Sequence, residues 1–292
     1  MIISTLLYKS TIQLLRFHFS FFLVPVFLFA VSQLPGVSWM NAFYVFIIMH
    51  LLVYPASNGY NSYMDRDTTS IGGLSKPLQP TKQLFYVTVA MDLLAVFLGM
   101  FISYIFAIGT LFYILASRAY SYRGIRIKKF AVPGFLTVFI FQGGVIFFFT
   151  YHACHPEQTL FVPLLPCIIS SMLIGASYPL TQIYQHQEDK KDGVITLSYL
   201  LGKKGTFVFS MLLFLIAILL MYMLYRKQGE MKSYFYFLLV TSPIVIFFLY
   251  WVRKVWRDEK HADFVHSLRM NAISAMCLTI FFILEIIRNH FE

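Results

Sequence analysis

The feature that most limits what this chain can fold into is a series of apolar runs, each near the length a helix needs to cross a bilayer. They fall at residues 17–33, 39–55, 84–117, 131–151, 160–181, 206–225, 234–252 and 270–287. A helix of about 20 apolar residues spans the hydrocarbon layer. The run 84–117 is too long for one crossing, so it is read as two helices broken near residues 99–103, and nine spans are expected. Charged residues make up only 12% of the 292, against about 25% in soluble domains. The expected fold is therefore all-α: a polytopic membrane protein of nine transmembrane helices around a central cavity, with residues 1–292 as one domain. Residues 1–16 read as an amphipathic helix at the interface. Lys9 and Arg16 precede the first apolar run without a small-residue cleavage site, so that span is expected to be retained.

Nine spans place the termini on opposite sides. With the N-terminus in the cytoplasm, only Arg226, Lys227, Lys232 and Arg288, four of the 23 Lys and Arg, fall on the far side. The positive-inside rule then fixes a cytoplasmic N-terminus and a C-terminus opposite. A bacterial inner membrane is the expected location. The lipid bilayer is the one extended partner foreseen, with no nucleic acid and no protein partner. Cys154, Cys167 and Cys277 form no C-x-x-C pair, so neither a disulfide framework nor a zinc signature is present.

Acidic residues are sorted as sharply as the cations. The stretch after the second span packs Asn58, Asn61, Asp65, Arg66 and Asp67 into ten residues. Asn61 and Asp65 are four apart and share a helix face. Two hard oxygen donors held this way at a membrane boundary suit Mg²⁺, which takes its other ligands from phosphates and water. Two glycines, Lys76 and Pro77 follow, a loop able to bend back over the site. A second cluster follows the sixth span. There helical spacing puts Gln182, Gln185 and Asp189 on one face, Asp192 continues it, and Gly193 ends the helix. Two acidic clusters four spans apart suggest a parallel internal repeat meeting at one cavity mouth, with a bound cation relieving their repulsion. The plainer alternative for the second cluster is a solvated mixed-charge loop, since Lys190 and Lys191 sit alongside.

Between the clusters, the middle loop interleaves Arg123, Arg126, Lys128 and Lys129 with Tyr120 and Tyr122. This is a donor set for a diphosphate, Arg offering bidentate geometry; ordinary positive-inside decoration accounts for part of it equally well.

These residues together resemble the UbiA superfamily of intramembrane prenyltransferases, whose members have nine transmembrane helices and two aspartate-rich motifs. The first motif, N-D-x-x-D-x-x-x-D with a frequent extra acid, is matched by Asn61, Asp65 and Asp67, while Ser62 and Thr69 stand where acids are usual. The second, D-x-x-D-x-x-x-D followed by Gly and Thr-Leu, is matched by Gln182, Gln185, Asp189, Gly193, Thr196 and Leu197, its first two acids replaced by glutamines. The resemblance implies a UbiA-like fold and Mg²⁺-dependent transfer of a prenyl group from a polyprenyl diphosphate to an apolar, aromatic or quinonoid acceptor. It implies metal ligation by Asn61, Asp65 and Asp189, supported by Asp67, Gln185, Glu188 and Asp192. The leaving diphosphate falls to Lys76, Arg123, Arg126, Lys128 and Lys190, with Tyr122 beside them.

Two other functions remain compatible with the residues. A terpene cyclase of the same superfamily would ionise the diphosphate without an acceptor. A cation-coupled transporter would also show repeats and intramembrane acids; only Asp92, in mid-span, favours it, and Asp92 equally suits a hydrogen bond to a neighbouring helix. Glu285 and Arg288 read as a local pair at a helix end. His152, Cys154 and His155 are grouped but lack a fourth metal ligand. The 32 Phe and 13 Met mostly pack or face lipid; those lining a cavity could hold an isoprenoid tail, with aromatic faces toward a carbocation.

Overall fold

The computed structural model describes residues 7–291 and is helical throughout its long elements. In chain order these are α1 (Lys9–Ser32), α2 (Trp39–Asp65), α3 (Lys82–Met100), α4 (Tyr104–Ser121), α5 (Ala131–Cys154), α6 (Leu164–Gln182), the short α7 (His186–Lys191), α8 (Leu197–Gln228), α9 (Met231–Arg257) and α10 (Phe264–Phe291). Among the described residues, eight helices are long and apolar enough to cross a membrane. The ninth expected span corresponds to α4, 18 residues long, whose last turn, Arg118 to Ser121, is polar.

The long run 84–117 does break. The helix α3 ends at Met100 and α4 begins at Tyr104, with the Ser103 hydroxyl accepting from the backbone N–H of Ile105 at 3.1 Å. That bond satisfies one of the orphan donors at a helix start. Of the expected interfacial helix, residues 1–6 lie outside the described residues. Residues Lys9–Leu15 are helical and then bend at Arg16, which takes a left-handed conformation (φ 48°). Thr11, Leu14 and Leu15 are buried against α2 and α3, while Tyr8 and Ile12 stay exposed.

Two helices carry π-turns, at Ile48–Val53 in α2 and Phe139–Val145 in α5. In α2 the turn runs up to Pro55, whose missing N–H breaks the regular ladder. In α5 it lets Gly143 and Gly144 press on α6: a Cβ on Gly143 would lie 2.4 Å from the Ser171 Cα, and the Gly144 N–H donates to the Ser171 hydroxyl at 2.9 Å. Only glycine permits that approach, and it fixes α5 against the helix bearing the second motif. The interior is an aromatic core, with Phe29 stacked on Phe282 at 4.7 Å and Phe147 edge-on at 5.1 Å. Leu93, Phe97, Phe112, Leu219 and Ile246 stay exposed on the outer helix faces, as lipid-facing positions do. His152 bonds Ser103 at 2.9 Å and the Thr159 carbonyl at 3.0 Å. Both ring nitrogens are used in closing loops, which leaves none for a metal.

Candidate active site

The first motif forms the last two turns of α2. Ser57, Asn58, Asn61 and Asp65 line one cavity because positions three and four apart share a helix face. The helix then stops at Arg66, left-handed at φ 55°, and the reversal brings Asp67 onto the same wall. The second motif supplies the facing wall: Tyr178, Thr181 and Gln182 from the end of α6, then Gln185, and Asp189 from α7. Gly193, left-handed at φ 70°, follows the end of α7 as expected. Gln185 donates from Nε2 to the Ser70 carbonyl at 3.2 Å, which ties the second motif to the loop after the first.

The carboxylates differ in how their charge is met. The Asp65 side chain is only 5% exposed and forms an ion pair with Lys128; Arg126 lies 3.6 Å from its Oδ1. Arg126 also binds the Asp192 carboxylate and, at 3.1 Å, the Asp192 carbonyl. Asp189 and Asp67 have no ion-pair partner within 4 Å among the described residues. Burial pushes the Asp189 carboxyl up to about 7; Lys128 opposes the rise and Asp67 and Asp65 add to it. Asp67 rises to about 6, again by burial first and then by the charge of Asp65. Two of the three converging carboxyl groups thus lack a direct ion-pair partner, a condition that favours binding of an added cation.

Two acceptor oxygens support that reading. Asp65 Oδ1 and Gln182 Oε1 are buried without a hydrogen-bond partner, a costly state unless something else binds them. The donors are all carboxylate or amide oxygens, the hard set that Mg²⁺ prefers. Asn61 presents its Oδ1 to the Ser121 hydroxyl at 2.8 Å.

Of the residues singled out from sequence, Asn61, Asp65, Asp67, Gln185, Asp189 and Lys128 line the one cavity. Arg126 reaches it through Asp65. Asn58, Tyr120, Gln182 and Thr196 line it as well, whereas the remaining candidates stand outside its lining. Asp192 is engaged by Arg126 and Arg123, the latter at 3.6 Å. Arg123 also donates to the Met64 carbonyl at 2.8 Å, pinning the end of α2. Glu188 pairs with Lys191 at 2.7 Å. Lys76, Tyr122 and Lys190 are exposed, and the Lys76 carbonyl accepts from Gln13 at 3.3 Å. Asp92 is bonded to Arg118, whose Nε donates to it at 2.8 Å, and Arg118 lies 3.9 Å over the Tyr60 ring. That internal clamp joins α3, α4 and α2.

Reading the sequence missed Arg16. Its side chain is buried in the cavity wall, donating to the carbonyls of Gly72 at 3.1 Å and Asn58 at 3.0 Å. It also missed the polar belt deeper in, where Tyr120, noted only for its place beside the middle-loop cations, shares a hydroxyl hydrogen bond with Tyr178, Ser57 meets Ser117 at 2.5 Å and Gln142 meets Tyr113 at 3.5 Å. A lone cation before an apolar run was the only available signal for Arg16.

The cavity measures about 180 Å³. It shares Phe19, Asn58, Tyr113, Gln142 and Tyr178 with a second chamber of about 150 Å³. That chamber shares Phe22, Ile174, Ser177 and Asn271 with a third of about 60 Å³, which ends on Phe29 and Phe282. The series runs from a charged mouth to an apolar end.

Residues 22–273 match the sequence model of the UbiA prenyltransferase family. No curated protein sequence matches the chain. Among solved structures, a UbiA homolog from Archaeoglobus fulgidus bound to GPP and Mg²⁺ superposes with a TM-score of 0.68 at 18% identity, covering 95% of this chain and 99% of its own. An apo UbiA homolog from Aeropyrum pernix K1 gives 0.69 at 16%, covering 91% and 97%. A digeranylgeranylglyceryl phosphate synthase gives 0.62 at 19%, covering 96% and 98%.

Proposed function

The chain belongs to the UbiA prenyltransferase family, and we propose that it transfers a prenyl group from its diphosphate to an apolar acceptor of aromatic or quinonoid character. The observation that carries this reading is the convergence of Asp65, Asp67, Asp189 and Lys128 at the mouth of a cavity that turns apolar with depth. The fold neighbours bound to DMAPP with Mg²⁺ and to GPP with Mg²⁺ support the same ligand class.

Mg²⁺ would be held by Asn61, Asp65 and Asp189, with Asp67 and the oxygens of Gln182 and Gln185 completing the donor set. When bound, it neutralises charge on the diphosphate as the allylic C–O bond breaks. The chain's own residues do the rest. Lys128, Arg126 and Arg16 present cations to the phosphate oxygens, Arg with a planar fork. The rings of Tyr113, Tyr120 and Tyr178 line the cavity below the mouth, where aromatic faces favour a developing carbocation. The Phe-lined end receives the prenyl tail and keeps water from the cation.

The test is mass spectrometry of lipids from cells expressing the wild type or Asp65→Ala. A prenylated acceptor that accumulates with the wild type alone supports transfer. A cyclised hydrocarbon formed from prenyl diphosphate alone would instead make the chain a cyclase.

A further inference from the structure

Away from the cavity, the corner between α9 and α10 gathers three metal-binding side chains. His261, Asp263 and His266 each offer one donor atom, and the three atoms lie within 4.8 Å of one another. The geometry points to a second metal site here, one that takes a borderline transition ion such as Zn²⁺ and is separate from the Mg²⁺ site. Two imidazoles and one carboxylate form a donor set that selects zinc-like ions over Mg²⁺. Three protein ligands leave a coordination position for water.

The corner is built to hold these groups. His266 is buried and stacks on the fully buried Trp251 ring at 6.1 Å and 13°. The Trp251 indole N–H donates to the His261 carbonyl at 2.7 Å, so one buried ring fixes both histidines. Asp263 accepts from the His266 backbone N–H and contacts its Nδ1, both at 2.8 Å. A helix-capping role explains the first of those bonds but not the convergence of two imidazoles beside it. The nearby cations Lys203 and Lys204 are engaged by Glu259, at 2.9 Å to its carbonyl and 3.9 Å to its carboxylate. The corner also adjoins the second motif: Phe264 packs on Tyr184 at 5.4 Å, and Ser267 donates to the Leu180 carbonyl at 3.0 Å. A metal at this corner would tie the turn after α9 to the start of α10.

The test uses the full chain in detergent, stripped with a chelator, returned to chelator-free buffer with excess Mg²⁺, and titrated with Co²⁺ and then Zn²⁺. The expected result is one equivalent of Co²⁺ with visible absorption, displaced by Zn²⁺. His261→Ala leaves the Trp251 contact in place, because that bond uses the backbone, and should weaken Co²⁺ binding by about tenfold or more. Asp65→Asn should leave it unchanged. No Co²⁺ absorption, or wild-type affinity in a folded His261→Ala protein, overturns the site.

Discussion

The two motifs that face each other across the cavity solve the same electrostatic problem in opposite ways. At the first, Asp65 is buried and its charge is met by the protein itself, through Lys128 and Arg126. At the second, Asp189 has no cation within ion-pair distance among the described residues, and burial raises its carboxyl to about 7. Two neighbours that would deepen the problem, at positions 182 and 185, are amides rather than acids. At the first wall Asp65 thus carries its charge with resident counter-ions. The second carries reduced charge with few. The difference teaches that the glutamines are a coherent part of this site: Asp189 is opposed only by Lys128, which is already paired with Asp65, so two more carboxylates beside it would be costly without a metal.

The largest effect expected is from removing either wall's acid. Asp65→Ala and Asp189→Ala should each abolish Mg²⁺-dependent binding of a prenyl diphosphate, measured on membrane-inserted protein. Loss of an acid that holds the metal removes several kcal/mol of charge stabilisation, on the order of a hundredfold or more in rate. Unchanged affinity and Mg²⁺ dependence in either variant would remove that residue from the site.

A smaller effect separates the walls. Lys128→Met strips Asp65 of its main partner, and both side chains are largely buried. Breaking one half of a buried pair costs about 3–5 kcal/mol, so the melting temperature should fall clearly in EDTA. Added Mg²⁺ should recover much of that fall by replacing the lost cation. If EDTA and Mg²⁺ give the same loss, Asp65 does not face the metal.

Much of this arrangement was legible in the chain. Apolar run length located the helices, and the break expected near 99–103 from the excess length of one run is real because Ser103 caps the next helix. The four-residue spacing of Asn61 and Asp65, and of Gln185 and Asp189, brings each pair to a wall of one cavity, since helix periodicity survives into the tertiary structure. What could not be read were choices made by tertiary contact. Asp192 belongs by spacing to the Asp189 face, yet Arg126 from a distant loop takes it. Lys76 and Lys190 carry the right charge but stand exposed, because charge alone does not specify direction. Arg16 looked like a membrane-boundary cation until the left-handed bend at its own position turned its side chain to Gly72 and Asn58. Nothing in local periodicity encodes such a bend.

The smallest effect expected is also the most informative about the second wall. Gln185→Asp restores one acid that the family motif usually carries. It adds attraction for a divalent ion, on the order of a few kcal/mol per charge at a partly buried site. Against that gain stand the Gln185 hydrogen bond to the Ser70 carbonyl, worth about 1 kcal/mol, and repulsion from Asp189 and Asp67 in the absence of metal. The Coulomb gain is realised only with Mg²⁺ present, whereas both costs are paid without it. The variant should therefore be less stable than wild type in EDTA yet bind Mg²⁺ more tightly, and its activity should saturate at lower Mg²⁺. Titrating Mg²⁺ against diphosphate binding and against melting temperature separates the two contributions. A lower melting temperature with unchanged Mg²⁺ affinity would place Gln185 outside the metal's reach and leave Gln182, with its unpartnered buried oxygen, as the amide ligand on that wall.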